Sequence, residues 1–384
     1  MAFYNSIKLN NLYALLILFM FLVFICFFLK CDRSLHSLNS SEVKLNLNRR
    51  QVIFIIGQGR TGSTLLGSIF NEHEDVLYLF EPLITVEKYH NLINFMLTNQ
   101  SAQTFINSKF AQFLNDIMKC EYDEKHDGYL KALNYGQFRL HSKKLTSAPF
   151  CKESCSDVTA KLMNNLCSNK NLRVVIKDLE FRLPNKDLSF LQYMSKLNDH
   201  VDVNVIHLVR DPRAYLASMM NAGWFKNQNE DIFIKERCEE TLSNMEYFTE
   251  NNAKQSKRFL NYKLLRFEDF ADDPLDISEK MHRFSKLNFS QNIKNYISLS
   301  TSGKATTSSD PYSSSARNIS SVKNGWRMKV TFNFVRKIQN SCNKLMKVLG
   351  YTELSTKTAL KDLTIPTTKT LEMNIARDIK LTRD

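Results

Sequence analysis

The apolar positions of this chain fall into two regimes. From Leu12 to Leu29 (LYALLILFMFLVFICFFL) they are contiguous and uncharged, and the run reaches back to Leu9 through two asparagines. At about 1.5 Å per residue, such a helix just spans a hydrocarbon core of about 30 Å. The residues are bulky throughout, and Lys30, Cys31, Asp32 and Arg33 follow without a small-residue cleavage pattern. The expectation is an uncleaved transmembrane signal-anchor over residues 9–29, behind a short tail of residues 1–8. Flanking charge does not orient it, because the C-terminal flank is at least as basic as the N-terminal one. Residues 30–50 are polar without clear period and are expected to form a stem.

Beyond the stem, apolar residues return in short bursts. VIFII (Val52 to Ile56), RVVIK (Arg173 to Lys177) and VNVIHLV (Val203 to Val209) are β-branched runs of the kind that form buried parallel strands. Between them the spacing turns helical, as with Leu66 and Phe70 inside Ser63 to Phe70. Strand–helix alternation predicts an α/β fold, with a mostly parallel sheet flanked by helices. KLLRFEDF (Lys263 to Phe270) reads as a further strand leading into a loop. Ser300 to Ser321, rich in Ser and Thr, reads as a long loop able to close over a ligand. Phe334 to Leu349 reads as a last helix ended by Gly350. The folded domain is expected over residues 51–352, with a weakly ordered tail over 353–384.

Charge and cysteine usage narrow the class. Lys and Arg number 52 against 39 Asp and Glu, a net charge of +13, which suits an anionic partner without saying which. Of eight cysteines, Cys26 and Cys31 belong to the anchor and its flank. Cys120, Cys151, Cys155, Cys167, Cys238 and Cys342 remain, an even set that fits disulfides in an oxidising compartment, with the pairing open. A zinc site at CKESC (Cys151 to Cys155) finds no second Cys/His pair at ligand spacing nearby. N-x-S sequons beginning at Asn39, Asn99, Asn288 and Asn318 permit glycosylation and no more.

The candidate chemistry begins at the first strand. GQGRTGST (Gly57 to Thr64) has the glycine spacing of a phosphate-binding P-loop, but Ser63 stands where the lysine of such a loop belongs. Strand, glycine-rich turn and helix aim backbone N–H groups and a helix N-terminus at an anion. Ser63 and Thr64 add hydroxyls, and Arg60 is the nearest cation. A triphosphate with Mg²⁺ is poorly served without the lysine. A second stretch, VIHLVRDPRAYLASMM (Val205 to Met220), runs a strand into Arg210, Asp211 and Pro212, with proline suited to the first helical position. Arg210 at the strand's C-terminal edge and Ser218 two turns into the helix make a second candidate anion site. The competing expectation is that Arg210 only bridges Asp211 or another surface carboxylate.

Two anion sites imply a ligand with two separated anionic ends. GQGRTGSTLLGSIFN followed by YLFEP, then VIHLVRDPRAYLAS, LLRFEDF and the closing Trp326, Arg327, Cys342 and Leu349 to Tyr351, resembles the Golgi carbohydrate 6-O-sulfotransferases acting on galactose, N-acetylglucosamine and N-acetylgalactosamine. The resemblance runs from Val52 to Tyr351 and is thin between Lys88 and Leu172. It implies the sulfotransferase fold, 3′-phosphoadenylyl sulfate as donor, no metal, and a glycan or proteoglycan acceptor in the Golgi lumen rather than nucleic acid. By that resemblance Gly59, Arg60, Thr61, Gly62, Ser63, Thr64 and Leu65 cradle the 5′-phosphosulfate, while Arg210 and Ser218 hold the 3′-phosphate. Arg60 is then the catalytic electrophile.

Glu81, in YLFEP, is the candidate base because the chain there returns to the ligand edge of the sheet; the alternative is a structural carboxylate paired with an arginine. His207, inside an apolar strand, reads as a core histidine. Asp178 and Glu180 invite a Walker B reading that the missing lysine undercuts, and Lys177 and Arg182 stay unassigned. A P-loop kinase and a catalytically inactive glycan-binding membrane protein are the competing classes.

Overall fold

A computed structural model describes residues 49–86, 100–134, 137–147, 151, 155–198, 200–224, 226, 228–252, 260–303 and 318–369. The expected tail of residues 1–8, the anchor at 9–29 and nearly all of the stem lie outside these residues. Among the described residues, no helix is long and apolar enough to cross a membrane.

Among the described residues, five strands form one sheet: β1 (Arg50–Gly57), β2 (Val76–Phe80), β3 (Arg173–Leu179), β4 (Val201–Val209) and β5 (Leu260–Arg266), in the order β2-β3-β1-β4-β5. All four pairings are parallel. The runs expected to be buried strands are β1, β3 and β4. Because β1 is central, both of its faces are covered. Val52, Phe54 and Ile56 enter one core cluster, and Ile53 and Ile55 enter the other. That is why its sequence is a continuous apolar run rather than an alternating one.

The helices that matter for the site are α1 (Ser63–Asn71), α2 (Gln100–Lys119), α3 (Ser189–Lys196), α4 (Pro212–Asn221), α5 (Glu230–Asn252), α6 (Phe267–Asp272), α7 (Pro274–Phe284), α8 (Gln291–Thr301), α9 (Ile319–Asn324), α10 (Phe332–Ser341) and α11 (Asn343–Val348). On one face of the sheet lie Leu114 of α2, Leu191 of α3, Leu216 of α4, Met245 of α5 and Ile338 of α10. On the other lie Leu66 and Phe70 of α1, Phe270 of α6, Met281 of α7 and Ile293 of α8.

Three details of the elements differ from the sequence expectation. Val76–Phe80 (VLYLF) is the edge strand β2, pairing with β3. KLLRFEDF belongs partly to β5 and then turns at once into helix α6, with no loop between. The expected helix from Phe334 to Leu349 is two helices, α10 and α11, broken at Cys342, whose sulfur is bonded to Cys238 of α5. Gly350 does end the second of them, in the left-handed conformation at φ 69°.

The expected weakly ordered tail is packed as far as Lys369. Fully buried Arg327 donates to the carbonyls of Ala359, Leu360, Asp362 and Ile365, and the Thr352 amide donates to the Thr367 carbonyl at 2.9 Å. One guanidinium that fills four backbone acceptors makes that segment part of the domain. Of Ser300–Ser321, the described parts are the end of α8, Ser302 and Gly303, Asn318, and the start of α9; residues 304–317 lie outside. The six cysteines form three disulfides: Cys120–Cys167, Cys151–Cys155 and Cys238–Cys342.

Candidate active site

The parallel sheet puts the C-terminal ends of β1, β3 and β4 side by side, and the loops leaving them build the site. After Gly57, residues Gln58 to Gly62 turn sharply into α1. Gly62 caps the helix at φ 95°, and no side chain caps its first turn, which also carries no acidic residue. The first N–H groups of a helix have no intrahelical acceptor, so this end offers donors and a positive dipole end to an anion. Gly59 has no room for a side chain: a Cβ there would lie 2.5 Å from the Trp224 ring. Thr61 is buried and spends its hydroxyl on the Gln58 carbonyl at 2.8 Å, which stiffens the loop. Ser63 is buried at the first turn, while Thr64 and Leu65 are partly exposed.

Arg60 occupies the left-handed region at φ 68°, a strained conformation for a residue with a side chain. Its Nε donates to Ser218 Oγ on α4 at 3.0 Å, and its carbonyl accepts from Arg210 at 2.9 Å. Arg210, at the end of β4, also donates to the Val322 carbonyl on α9 at 3.0 Å and lies 4.3 Å above the Phe267 ring. Its Nε is buried with no hydrogen-bond partner among the described residues. The competing expectation for Arg210, a bridge to Asp211, is not what forms: Asp211 is gripped by Arg213 at 2.7 and 2.9 Å. Arg60, Arg210 and Ser218 are therefore brought together, with a buried cationic donor left over for an anion.

Glu81 follows β2 at the same edge of the sheet, two strands from β1. Its carboxylate pairs with Lys177 Nζ and accepts from Arg182 at 2.6 Å. Burial alone would raise its pKa, but Lys177 and Arg182 outweigh burial and hold it at about 2. The pairing arginine foreseen as the alternative is thus present, joined by a lysine. Phe80 stacks on His141 at 3.9 Å and lies 4.8 Å below Lys177 Nζ, completing the wall. Lys177 and Arg182, left unassigned from the sequence, are side chains of this edge. The signal was their position just past an apolar β-branched run.

Asp178 points into the core, accepting from the amides of Leu83 at 2.8 Å and Leu179 at 2.9 Å. Burial raises its pKa to about 6. It latches the turn after β2 to β3 and does not take a Walker B role. His207 is the core histidine expected: fully buried, it binds Glu180 at 2.9 Å and the Tyr262 hydroxyl at 2.7 Å. Glu180 also accepts from Asn244 at 3.0 Å.

Two site features had no sequence signal. Gln58 of the loop donates to Glu240 of α5 at 3.3 Å, across 182 positions of sequence. Beside Trp224 lies a cleft of about 640 Å³, whose walls include Phe181, Arg182 and Arg237. Among the described residues, no cluster of three or more His, Cys, Asp or Glu is placed to hold a metal.

A family model described as the sulfotransferase family matches residues 52–291. Carbohydrate sulfotransferase 3 of Tetronarce californica is 29% identical over 353 residues, covering 83% of this chain and 76% of that protein. Carbohydrate sulfotransferase 1 of Mus musculus is 26% identical over 355 residues, covering 83% of each. Carbohydrate sulfotransferase 5 of Mus musculus is 24% identical over 356 residues, covering 83% of this chain and 85% of that protein. Among solved structures, a sulfotransferase domain from the curacin biosynthetic pathway is similar at 14% identity and a TM-score of 0.43, covering 77% of this chain and 97% of that one. The family match begins at β1, takes in the Arg60 loop, Arg210 and Ser218, and extends over more than half of the chain: the protein belongs to the sulfotransferase family and is a sulfotransferase enzyme.

Proposed function

We propose that the protein moves a sulfuryl group from 3′-phosphoadenylyl sulfate to the 6-hydroxyl of a galactose, N-acetylgalactosamine or N-acetylglucosamine unit in a glycan or proteoglycan. The observation that carries this reading is the Arg60–Ser218–Arg210 arrangement, in which Arg60 touches both partners and Arg210 keeps a buried, unpartnered Nε. A lysine-free loop beside a second cationic site suits a donor with a 5′-phosphosulfate and a separate 3′-phosphate better than a triphosphate. The sugar acceptor is supported by the relatives named as carbohydrate sulfotransferases.

The donor supplies the activated sulfuryl group, and the chain's residues position and stabilise charge around it. The uncapped first turn of α1, with Gly59, Thr61, Gly62, Ser63, Thr64 and Leu65, would hold the phosphosulfate end. Arg60, permanently charged, would stabilise the leaving phosphate oxygen. Arg210 and Ser218 would hold the 3′-phosphate. Glu81 is the proposed acceptor of the hydroxyl proton. Already ionised beside Lys177 and Arg182, it is a weak base, so its proton uptake belongs to the transfer step and not to the resting state.

The proposed setting is the Golgi lumen, with residues 1–8 in the cytosol, the anchor at 9–29 and the domain beyond it. Three disulfides support an oxidising compartment, and long domains cross membranes largely regardless of flanking charge. The test is transfer of labelled sulfate to desulfated keratan and desulfated chondroitin, with disaccharide analysis of the product. A thermal shift with 3′,5′-ADP but not with ATP–Mg²⁺ supports the donor assignment; the reverse result overturns it in favour of a kinase.

A further inference from the structure

The cleft beside the donor loop belongs to neither anion site, and its chemistry is different. Two contacts of its wall residues locate it. Trp224 packs so closely on the loop that a Cβ on Gly59 would meet its ring at 2.5 Å. Arg182, also of the wall, holds Glu81 at 2.6 Å. A molecule in the cleft is therefore flanked by the loop that carries Arg60 and by the proposed proton acceptor. The volume of about 640 Å³ is in the range of small-ligand sites.

The walls combine aromatic faces with paired charges. Phe181 and Trp224 stand perpendicular, centroids 6.0 Å apart at 89°, and make a corner of two aromatic surfaces. The Arg237 guanidinium is packed 5.5 Å from the Phe181 ring and 5.3 Å from the Phe233 ring. Arg237 is 6% exposed, and its Nε is buried with no hydrogen-bond partner among the described residues. Each cation of the wall is matched by a carboxylate. Arg182 has Glu81; Lys186 and Arg237 share one oxygen of Glu240, at 2.9 and 2.6 Å, and both also pair with Glu236, at 3.6 and 3.7 Å. The other oxygen of Glu240 accepts from Gln58 of the donor loop at 3.3 Å.

Balanced charge does not concentrate an anion. It supplies many strong, oriented donors and acceptors, and with aromatic faces it suits a ring that has apolar C–H surfaces and a rim of hydroxyls. We propose that this cleft seats one uncharged pyranose of the acceptor, stacked in the corner of Phe181 and Trp224 and hydrogen-bonded to the Arg237 side of the cleft, while carboxylated or sulfated sugars of the same glycan lie outside it. This rests on the reading of the protein as a sulfotransferase that acts on sugars.

The test uses the full chain in detergent, with labelled-sulfate transfer to oligosaccharides of desulfated keratan and calorimetric binding of 3′,5′-ADP. Phe181→Ala is expected to raise the acceptor KM about 3- to 10-fold, the worth of one aromatic contact, and to leave the 3′,5′-ADP Kd within about twofold. Phe181→Leu keeps an apolar filler and removes the ring; it is expected to behave the same way, with its 3′,5′-ADP Kd reporting that the domain is folded. As competitors, methyl β-galactoside is expected to inhibit and methyl β-galacturonide, which keeps the ring configuration and carries a carboxylate in place of the C6 hydroxymethyl, is not. An unchanged acceptor KM in a Phe181 variant that still binds 3′,5′-ADP overturns the cleft assignment. Stronger inhibition by the galacturonide overturns the uncharged-sugar assignment. Wild-type protein that transfers sulfate to keratan but ignores both glycosides also overturns it, and wild type that fails to bind 3′,5′-ADP overturns the donor reading itself.

Discussion

The Nε of Arg60 donates to the Oγ of Ser218 across 3.0 Å. One of these residues is assigned to the 5′-phosphosulfate and the other to the 3′-phosphate, so the two subsites share a wall. The Arg60 carbonyl, bonded to Arg210, ties the same two subsites a second time. The strained backbone of Arg60, at φ 68°, is held by these contacts on both its side chain and its carbonyl.

Arg60→Ala is expected to lower turnover about 100- to 1000-fold, the usual cost of losing one donor that stabilises developing charge. Its melting temperature should stay close to that of wild type, because removing a side chain from a left-handed position relieves little and exposes no core. Sulfate transfer and a thermal melt on the same preparation check this. Turnover like that of wild type removes the catalytic role from Arg60.

Ser218→Ala is expected to act on the donor and not on the chemistry. The 3′-phosphate does not react, so donor KM should rise several-fold with kcat nearly unchanged. With adenylyl sulfate, which has no 3′-phosphate, variant and wild type should differ little. Arg210→Ala should raise donor KM further, and it also releases the bond to Val322 that ties α9 to the loop. An unchanged donor KM in both variants means that the second anion site lies elsewhere.

The disulfide Cys238–Cys342 joins α5 to the break between α10 and α11 and closes a loop of 104 positions. A double Cys→Ala variant should lose about 2–5 kcal/mol of stability. Denaturant melts of the two proteins measure this. Thiol labelling of denatured, unreduced wild type should leave Cys120, Cys151, Cys155, Cys167, Cys238 and Cys342 unmodified. In sealed vesicles the domain should resist added protease. Digestion of the domain from outside the vesicles overturns the lumenal orientation.

His282 makes stability depend on pH. It is fully buried, stacked 4.5 Å from Phe70, and donates through Nδ1 to the Ser278 carbonyl at 2.8 Å, while its Nε2 has no partner among the described residues. Burial pushes its pKa down to about 4, with the Ser278 carbonyl opposing and His73 adding to the shift. The unfolded chain takes up this proton near its ordinary value of about 6.5, before the folded chain does. The stability it contributes is therefore complete above about pH 6.5 and is lost as pH falls toward 4. The loss should be on the order of 3 kcal/mol. His282→Phe should flatten the profile of melting temperature between pH 4 and 6.5; an unchanged slope refutes the assignment.

Local pattern was enough for everything that follows from composition and short-range spacing. The continuous β-branched runs at Val52, Arg173 and Val203 could be buried only on two faces, and they became three neighbouring parallel strands. Gly57, Gly62, Ser63 and Thr64 stated their loop through spacing alone, and Pro212 stated the start of a helix, because turn and cap chemistry is written within a few residues. Arg210, Ser218 and Glu81 could be named as candidates, but the contacts that join them were not legible, since they depend on register between distant strands. Phe80 pairs with Lys177, and this alone sets Glu81 against Lys177 and Arg182. The hold of Arg210 on the Arg60 and Val322 carbonyls, the bonds Cys120–Cys167 and Cys238–Cys342, and the meeting of Gln58 with Glu240 are likewise contacts between segments far apart in the chain. Sequence supplied the side chains capable of binding an anion; the parallel sheet, by aligning the ends of β1, β3 and β4, decided which of them face one another.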